Sequence, residues 1–228
     1  FEKLEVHKKL GVRVKKLKTG EVHVTGLDWS PDSSSIVFSH QRTPKVFDQN
    51  DISIVQVAGG EAKSLVATKA DENGPVYSRD GRSIAYLTTD EPPTWGFTAW
   101  VRVVPATGGP GRDLARTSDE QPDILGWSAD GRALIVSEPE GTIGRVFSLP
   151  VEGGAPTAIS GTEVNVSAAS LNVTGTAVGF VHMWSDRAPE PYVSRLQTFN
   201  AKHVASVQTL PAATEAPIGR TEILRWKS

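Results

Sequence analysis

Short runs of β-branched and aromatic residues alternate with polar residues along the chain, and most runs stop at glycine, asparagine or aspartate. The run Ile52-Ser-Ile54-Val-Gln-Val57, which ends before Gly59-Gly60, is an example. Such a two-residue period is typical of half-buried β-strands. A helical period is almost absent, and no capping residue is followed by an amphipathic run. The pattern therefore predicts an all-β chain of short antiparallel strands.

One segment recurs four times. An aromatic residue or leucine is followed by a turn containing Asp-Gly or a variant of it, and then by Ile, Leu or Val. The four copies begin 48, 50 and 44 positions apart, at Trp29, Tyr77, Trp127 and Leu171. Asp-Gly between apolar runs is a strong hairpin signal, because glycine accepts the positive φ of a tight turn. The residues that flank each turn are expected to face each other across the hairpin and to be buried.

A second glycine signal follows the first three copies. Gly59-Gly60, Gly108-Gly109 and Gly153-Gly154 each close a second hairpin, and Asn200 takes about that place after the fourth copy. Each unit is thus four short strands in about 45–50 residues, which is the sequence signature of a β-propeller. The predicted propeller spans 26–210, with blades at about 26–70, 73–118, 123–162 and 166–210.

Residues 1–25 precede these blades, and we predict strands of a preceding blade or an N-terminal arm there. Seven Lys/Arg against two Glu give residues 1–18 a local charge of +5. A ring of seven or eight blades at this period needs more than ~300 residues. The 228 residues are therefore expected to be a portion of a larger propeller. Missing blades leave open edges, so self-association through open blade edges is a further expectation.

The repeats resemble the WD40-like, TolB-type repeats in the N-terminal propeller of prolyl oligopeptidase family serine peptidases. The resemblance rests on the Trp-Ser-Pro-Asp-like turns, the Ile-Val-Phe or Ile-Ala-Tyr strands after them, and the Gly-Gly hairpins. Pro189-Glu190-Pro191-Tyr192-Val193 resembles the last blade of the acylaminoacyl-peptidase branch. Residues 221–228 resemble the strand that leaves such a propeller. The resemblance thus implies that 211–228 are a linker and strand leading to an α/β-hydrolase domain absent from this chain.

This resemblance implies a non-catalytic propeller segment of an acylaminoacyl-peptidase or oligopeptidase type. Its partners would be the α/β-hydrolase domain and short peptides, which the propeller admits while it excludes folded proteins. The alternative is a stand-alone TolB-like propeller that binds other proteins. A propeller lyase or glycosidase would need histidines and acids around its channel, and the innermost-strand positions supply only Asp28.

The sequence offers no catalytic constellation, metal site or cofactor site of its own. Gly126-Trp127-Ser128-Ala129-Asp130 approaches the G-x-S-x-G elbow of serine hydrolases, but its fifth residue is Asp and its pattern recurs in the other copies. None of the five histidines is paired at metal-ligand spacing. Several acids lack the spacing of a Ca²⁺ loop and are interpreted as solvated loop residues. They are Asp48, Asp51, Asp119, Glu120 and Asp123.

The composition of the chain excludes several further classes of protein and of binding site. A chain with 38% hydrophobic and 22% charged residues fits a folded globular domain, and the lack of cysteine excludes disulfides and thiolate metal sites. A net charge of −2 gives no general case for nucleic-acid binding. No apolar run approaches the ~18 residues of a membrane helix. The compartment is undecided: the cytoplasm is slightly favoured, and a secreted or periplasmic location stays open.

Two loops carry the candidate residues for contact with substrate or with a neighbouring domain. The long loop of the second blade holds Trp95 and Phe97 among prolines, and a comparable loop in the last blade holds Trp184 and Arg187, followed by Glu190. Stiff loops with exposed aromatic residues are frequent binding surfaces. The alternative for Trp95 and Phe97 is that they pack over their own blade.

Overall fold

The computed structural model describes residues 23–44, 49–94, 96, 98–185, 188–206, 222–224 and 226. These residues form sixteen strands and no helix, and the strands make four four-stranded antiparallel sheets. The predicted all-β propeller fold is confirmed. Within this described part, no helix has the length and apolar character that a membrane crossing requires. The segments 1–25 and 211–228 lie almost entirely outside the described residues and stay predictions.

Each sheet is a meander in which strands that follow one another in the chain are neighbours. The first sheet contains β1 (Val24–Trp29), β2 (Ser35–Gln41), β3 (Asn50–Gln56) and β4 (Lys63–Val66). The second contains β5 (Glu72–Tyr77), β6 (Ser83–Thr89), β7 (Ala99–Pro105) and β8 (Arg112–Asp113). The third contains β9 (Asp123–Trp127), β10 (Ala133–Glu140), β11 (Ile143–Pro150) and β12 (Thr157–Ala158). The fourth contains β13 (Val166–Leu171), β14 (Ala177–His182), β15 (Glu190–Arg195) and β16 (Lys202–His203).

The chain divides into two compact units, Phe1–Pro93 with Val104–Pro110 and Thr94–Val103 with Gly111–Ser228. Each unit has its own apolar core, built from the faces of successive sheets. The first core is made by Val37, Ile52, Tyr77, Ile84, Tyr86 and Val104. The second core is made by Ile135, Val146, Val164, Val166, Val178 and Phe180.

A set of hydrogen bonds, here called the turn lock, closes the hairpin between the first two strands of a sheet. In the first sheet Ser30 Oγ donates to Asp32 Oδ1 (2.6 Å) and accepts from the N–H of Ser35 (2.9 Å). The same oxygen of Asp32 accepts from the N–H of Ser34 (3.0 Å). The second and third sheets repeat these contacts with Ser78 and Asp80, and with Ser128 and Asp130.

The fourth sheet reaches the same result with a single side chain. Asn172 Oδ1 accepts from the N–H groups of Thr176 (2.9 Å) and Ala177 (3.0 Å). This explains why the last copy of the repeat lacks the Ser-x-Asp pattern and still forms the hairpin.

The residue that follows the lock aspartate, or Thr174 in the fourth sheet, has a positive φ. The angle is 59° at Ser33, 71° at Gly81, 69° at Gly131 and 62° at Gly175. Glycine adopts this left-handed conformation freely, whereas a side chain there costs on the order of 1 kcal/mol. Ser33 therefore carries strain that the other three turns avoid.

Burial of the residues that flank the turns follows the prediction in the second and third sheets and fails in the first. Tyr77 lies opposite Ile84, Trp127 lies opposite Leu134, and all four are buried. Trp29 is 50% exposed. The reason is the alternation of side chains along β1: Asp28 points towards β5, where it accepts from the N–H of Tyr77 (2.8 Å), so Trp29 points the other way.

Candidate functional site

Ser128, the serine of the elbow-like segment, is held in the third turn lock. Its Oγ donates to Asp130 Oδ1 at 2.7 Å and accepts from the N–H of Ala133 at 3.0 Å. The hydrogen bond from Ser128 and the backbone hydrogen bond from Arg132 lower the pKa of Asp130. A carboxylate with a lowered pKa is a poor base for a serine proton, and a strand rather than a helix follows. The segment is therefore a hairpin and has no elbow geometry.

Trp184 and Glu190, two of the predicted contact residues, are joined through contacts of Tyr192 in the last blade: Trp184 lies in the loop after β14, and Glu190 lies at the start of β15. The Trp184 ring stacks on His182, with centroids 4.0 Å apart, and meets Tyr192 edge-on at 5.7 Å. Glu190 Oε2 is 2.9 Å from Nε2 of His203, whose ring centroid is 5.2 Å from that of Tyr192. Tyr192 thus links the two predicted residues. We call these five residues the last-blade patch.

The last-blade patch is half-buried. His182 is 8% exposed, whereas the side chains of Glu190 and His203 are 23% and 38% exposed. Beneath it, Phe180 stacks with Tyr192 at 6.0 Å and with Phe199 at 5.9 Å. A firmly packed row of rings with a carboxylate at its edge can offer a peptide both flat apolar area and an acceptor for N–H groups.

Three predicted contact residues, Trp95, Phe97 and Arg187, lie outside the described residues and stay predictions. The loop that holds the first two joins Thr89, the last residue of β6, to Ala99, the first residue of β7.

A buried acid, Glu72, was missed by the sequence reasoning. It is 0% exposed, Thr68 Oγ1 donates to its Oε1, and its Oε2 has no hydrogen-bond partner among the described residues. Burial is the main cause that raises the pKa of Glu72 to about 7. The hydrogen bond from Thr68 lowers this pKa, the nearby Asp51 carboxylate raises it, and the Arg42 guanidinium lowers it. Glu72 is therefore a buried carboxyl group of the first compact unit that keeps its proton up to a pH of about 7.

Asp51 was predicted as a solvated loop acid, and that prediction is wrong. It lies in β3 with a side chain only 13% exposed, and it accepts from Nε and Nη2 of Arg42 at 3.0 and 2.7 Å. Arg42 also donates to the carbonyl of Thr68, next to Glu72. The partner of Asp51 is thus an arginine side chain and not solvent.

The other acids in that prediction behave differently. Asp119 and Asp123 are exposed, although Asp123 is the first residue of β9 and not a loop residue, and Glu120 is 2.6 Å from Arg116. Asp48 lies outside the described residues. Across the described ranges, no group of three or more His, Asp or Glu is placed to hold a metal ion.

Comparison with known sequences gives partial matches to peptidases. Tricorn protease homolog 1 of Streptomyces coelicolor is 30% identical over 115 residues, which are 49% of this chain and 10% of that protein. Dipeptidyl-peptidase 5 of Trichophyton equinum is 31% identical over 90 residues, 38% of this chain and 12% of that protein. The matched part is therefore about a tenth of each relative. No protein-family model matches the chain.

Comparison with solved structures defines the class of fold. TolB from Acinetobacter baumannii has a TM-score of 0.65 at 13% identity, covering 82% of this chain and 44% of that chain. A puromycin-hydrolyzing peptidase of Mycobacterium tuberculosis has a TM-score of 0.61 at 15% identity, covering 82% and 32%. The chain has the fold of a TolB-like β-propeller. Together with the sequence matches, it is a propeller segment related to peptidases.

Proposed function

We propose that this chain is the non-catalytic propeller segment of a prolyl oligopeptidase family serine peptidase, of acylaminoacyl-peptidase or oligopeptidase type. It gates the access of peptides to an α/β-hydrolase domain. The observation that carries the proposal is the match of 49% of the chain to a tricorn protease homolog and of 38% to a dipeptidyl-peptidase. The locked hydroxyl of Ser128 supports the non-catalytic part.

In this proposal the hydrolase domain supplies the serine nucleophile, the histidine base and the acid that orients it, and cleaves the amide bond by acyl transfer. The propeller contributes a rigid aperture, because the apolar core of each compact unit holds the sheets from which the loops extend. Trp184 and Glu190 of the last-blade patch, with Trp95, Phe97 and Arg187, are the residues we propose for contact with peptide or hydrolase domain.

Fluorophosphonate labelling tests the catalytic assignment. The purified chain is expected to keep a single mass near 24.4 kDa without label. The peptidase that contains the chain is expected to carry one label, on a serine outside these 228 residues. A label on any serine of this chain would contradict the proposal.

A substitution in the last-blade patch tests gating in that peptidase. Trp184→Ala is expected to change the ratio of kcat/KM for a short peptide to kcat/KM for unfolded casein by about threefold or more, because only the longer substrate spans the patch. Val173→Ala is the matched control, since Val173 lies at a turn of the same sheet and is 92% exposed. An unchanged ratio in Trp184→Ala would remove the patch from the gate.

The second candidate is a stand-alone TolB-like propeller that serves as a protein-binding module. The overlay with TolB, which covers 82% of this chain, favours it. The labelling experiment separates the two candidates, because a binding module carries no reactive serine in any part of the natural protein.

A further inference from the structure

A cavity of about 310 Å³ opens in the first compact unit, at the end of the first two sheets where their turn locks lie. Its wall contains the two lock aspartates, Asp32 and Asp80, beside the apolar surfaces of Pro31, Ile54 and Ala106. This volume is at the lower end of small-molecule sites, so the cavity suits one side chain better than a folded partner.

Both aspartates remain ionised over the whole physiological pH range. The hydrogen bond from Ser30 is the main cause that lowers the pKa of Asp32 to about 2, and the bond from Ser78 lowers the pKa of Asp80. The Asp80 side chain is 60% exposed, so a ligand can approach it. The cavity wall thus carries a permanent double negative charge.

Few positive charges balance these carboxylates. The residues that line the cavity include no Lys, Arg or His. The second and third copies of the repeat place an arginine after the turn glycine, Arg82 and Arg132, whereas the first copy has Ser34 there. Arg82 is 86% exposed and its Nε is 3.9 Å from Asp80, which is a weak surface pair. The charge complement of this cavity is therefore a cation.

The cavity wall also contains two buried hydroxyl groups. The hydroxyl groups of Tyr77 and Ser35 lie 3.2 Å apart, and both residues are 7% exposed. Hydroxyl oxygens accept N–H groups, and a guanidinium presents five of them in a plane on an apolar stem. Apolar surfaces, two carboxylates and two hydroxyl groups in the wall match that side chain better than a compact ammonium ion.

We propose that this cavity binds an arginine side chain of a peptide. The methylene groups lie against Pro31, Ile54 and Ala106, and the guanidinium pairs with Asp32 and Asp80. That the arginine belongs to a peptide substrate rests on the proposed function. The binding of a guanidinium to this chain does not.

Titration of the full chain with N-acetyl-arginine amide, followed by NMR chemical shifts, tests the site. Saturable binding is expected, with shifts at Tyr77 and Thr107. The neutral isostere N-acetyl-citrulline amide should bind about tenfold more weakly or worse, because charge-assisted pairs are lost. Equal affinities for the two probes, or no saturable binding of the arginine derivative, would overturn the proposal.

Substitutions locate the binding. Asp32→Asn with Asp80→Asn keeps both Oδ1 acceptors of the turn locks and removes the charge, so a loss of about tenfold or more is expected. Asp130→Asn is the matched control, since Asp130 forms the same lock but does not line the cavity. A similar loss in Asp130→Asn would overturn the assignment.

A second variant covers the case in which the double substitution unfolds. Thr107 is exposed at the cavity rim, and Thr107→Arg supplies a tethered guanidinium that should abolish binding of the probe. Undiminished binding in Thr107→Arg would place the probe elsewhere. The labelling and casein experiments test the proposed peptidase function, whereas the titration tests the binding of a guanidinium. Either proposal can therefore fail while the other holds.

Discussion

Two glutamates, one in each compact unit, are buried and anchored in the same way. Glu72 begins β5 and Glu138 lies near the end of β10, and they are 0% and 2% exposed. Each accepts a hydrogen bond from a threonine in the segment that precedes its sheet, Thr68 and Thr117. The shared contact ties each sheet to the segment before it.

The groups around the two carboxylates differ. Glu138 also accepts from the N–H of Gln121 at 2.8 Å. Glu72 has the carboxylate of Asp51 nearby, and the N–H groups of Arg42 are already committed to Asp51 and Thr68. At Glu72, the neighbouring charges, as well as burial, decide how the carboxyl group responds to pH.

Removing Arg42 is expected to have the largest effect on the Glu72 site. Arg42→Met should lower the free energy of unfolding by about 3 kcal/mol at pH 8, because it leaves Asp51 without its partner and removes the positive charge beside Glu72. The loss should be smaller at pH 5, where Glu72 is protonated. Urea unfolding followed by tryptophan fluorescence measures both values.

Arg82→Met is the control for Arg42→Met. Its guanidinium is 86% exposed, so a change below about 0.5 kcal/mol is expected. If Arg42→Met costs the same at pH 5 and pH 8, Glu72 plays no part in the loss.

Replacing each glutamate by glutamine distinguishes the two sites by their effect on stability. The folded pKa of Glu72, about 7, lies above its ordinary 4.5, so the folded protein keeps a proton that the unfolded chain has lost between these values. Stability therefore falls as the pH rises from about 4.5 to 7 and stays low above it. Glu72→Gln should gain about 2 kcal/mol at pH 8 and little below pH 5.

Glu138→Gln is the matched variant. It should lose about 1 kcal/mol, because the glutamine amide oxygen is a weaker acceptor for the contacts from Thr117 and Gln121. The midpoints of urea unfolding of both variants, measured between pH 5 and pH 8, test the expected gain for Glu72→Gln and the expected loss for Glu138→Gln. A pH profile of Glu72→Gln that runs parallel to that of the wild type would refute the role of Glu72.

The smallest expected effect concerns the shared threonine contact. Thr68→Val and Thr117→Val should each cost about 1 kcal/mol. The Thr68 hydroxyl also accepts from the N–H of Ala70 at 3.0 Å, so Thr68→Val should be the more costly of the two. Its cost should grow with pH, because the lost hydrogen bond opposes the raised pKa of Glu72. Thermal unfolding at pH 5 and pH 8 tests both, and a larger cost for Thr117→Val would reverse the expected order.

Much of the fold could be predicted because the informative signals are local. Asp80-Gly81 and Asp130-Gly131 specify hairpins through contacts that close within six residues, so the repeat defines the strands and the class. The exposure of Trp29 could not be read in this way. It depends on which side of β1 meets β5, and the contact of Asp28 with Tyr77 joins residues 49 positions apart.

The Glu72 site could not be predicted because its members are far apart in sequence. Arg42 follows β2, Asp51 lies in β3 and Glu72 begins β5, and an acid that follows Asp71 has the pattern of a solvated loop residue. No spacing in the sequence marks the two buried glutamates, because the threonine that contacts Glu72 is four residues away and the one that contacts Glu138 is 21 residues away. In the last-blade patch, the choice of Trp184 and Glu190 rested on composition, and only the fold shows that Tyr192 joins them.

The turn lock has a consequence for how the chain folds during synthesis. Each lock is complete within six residues, so it needs no partner from another sheet. A hairpin of this kind forms in about 1–10 μs, whereas a ribosome adds roughly 5–20 residues per second. Each hairpin can therefore close before the next sheet has left the ribosome, so the first two strands of a blade can pair before the other blades are synthesised.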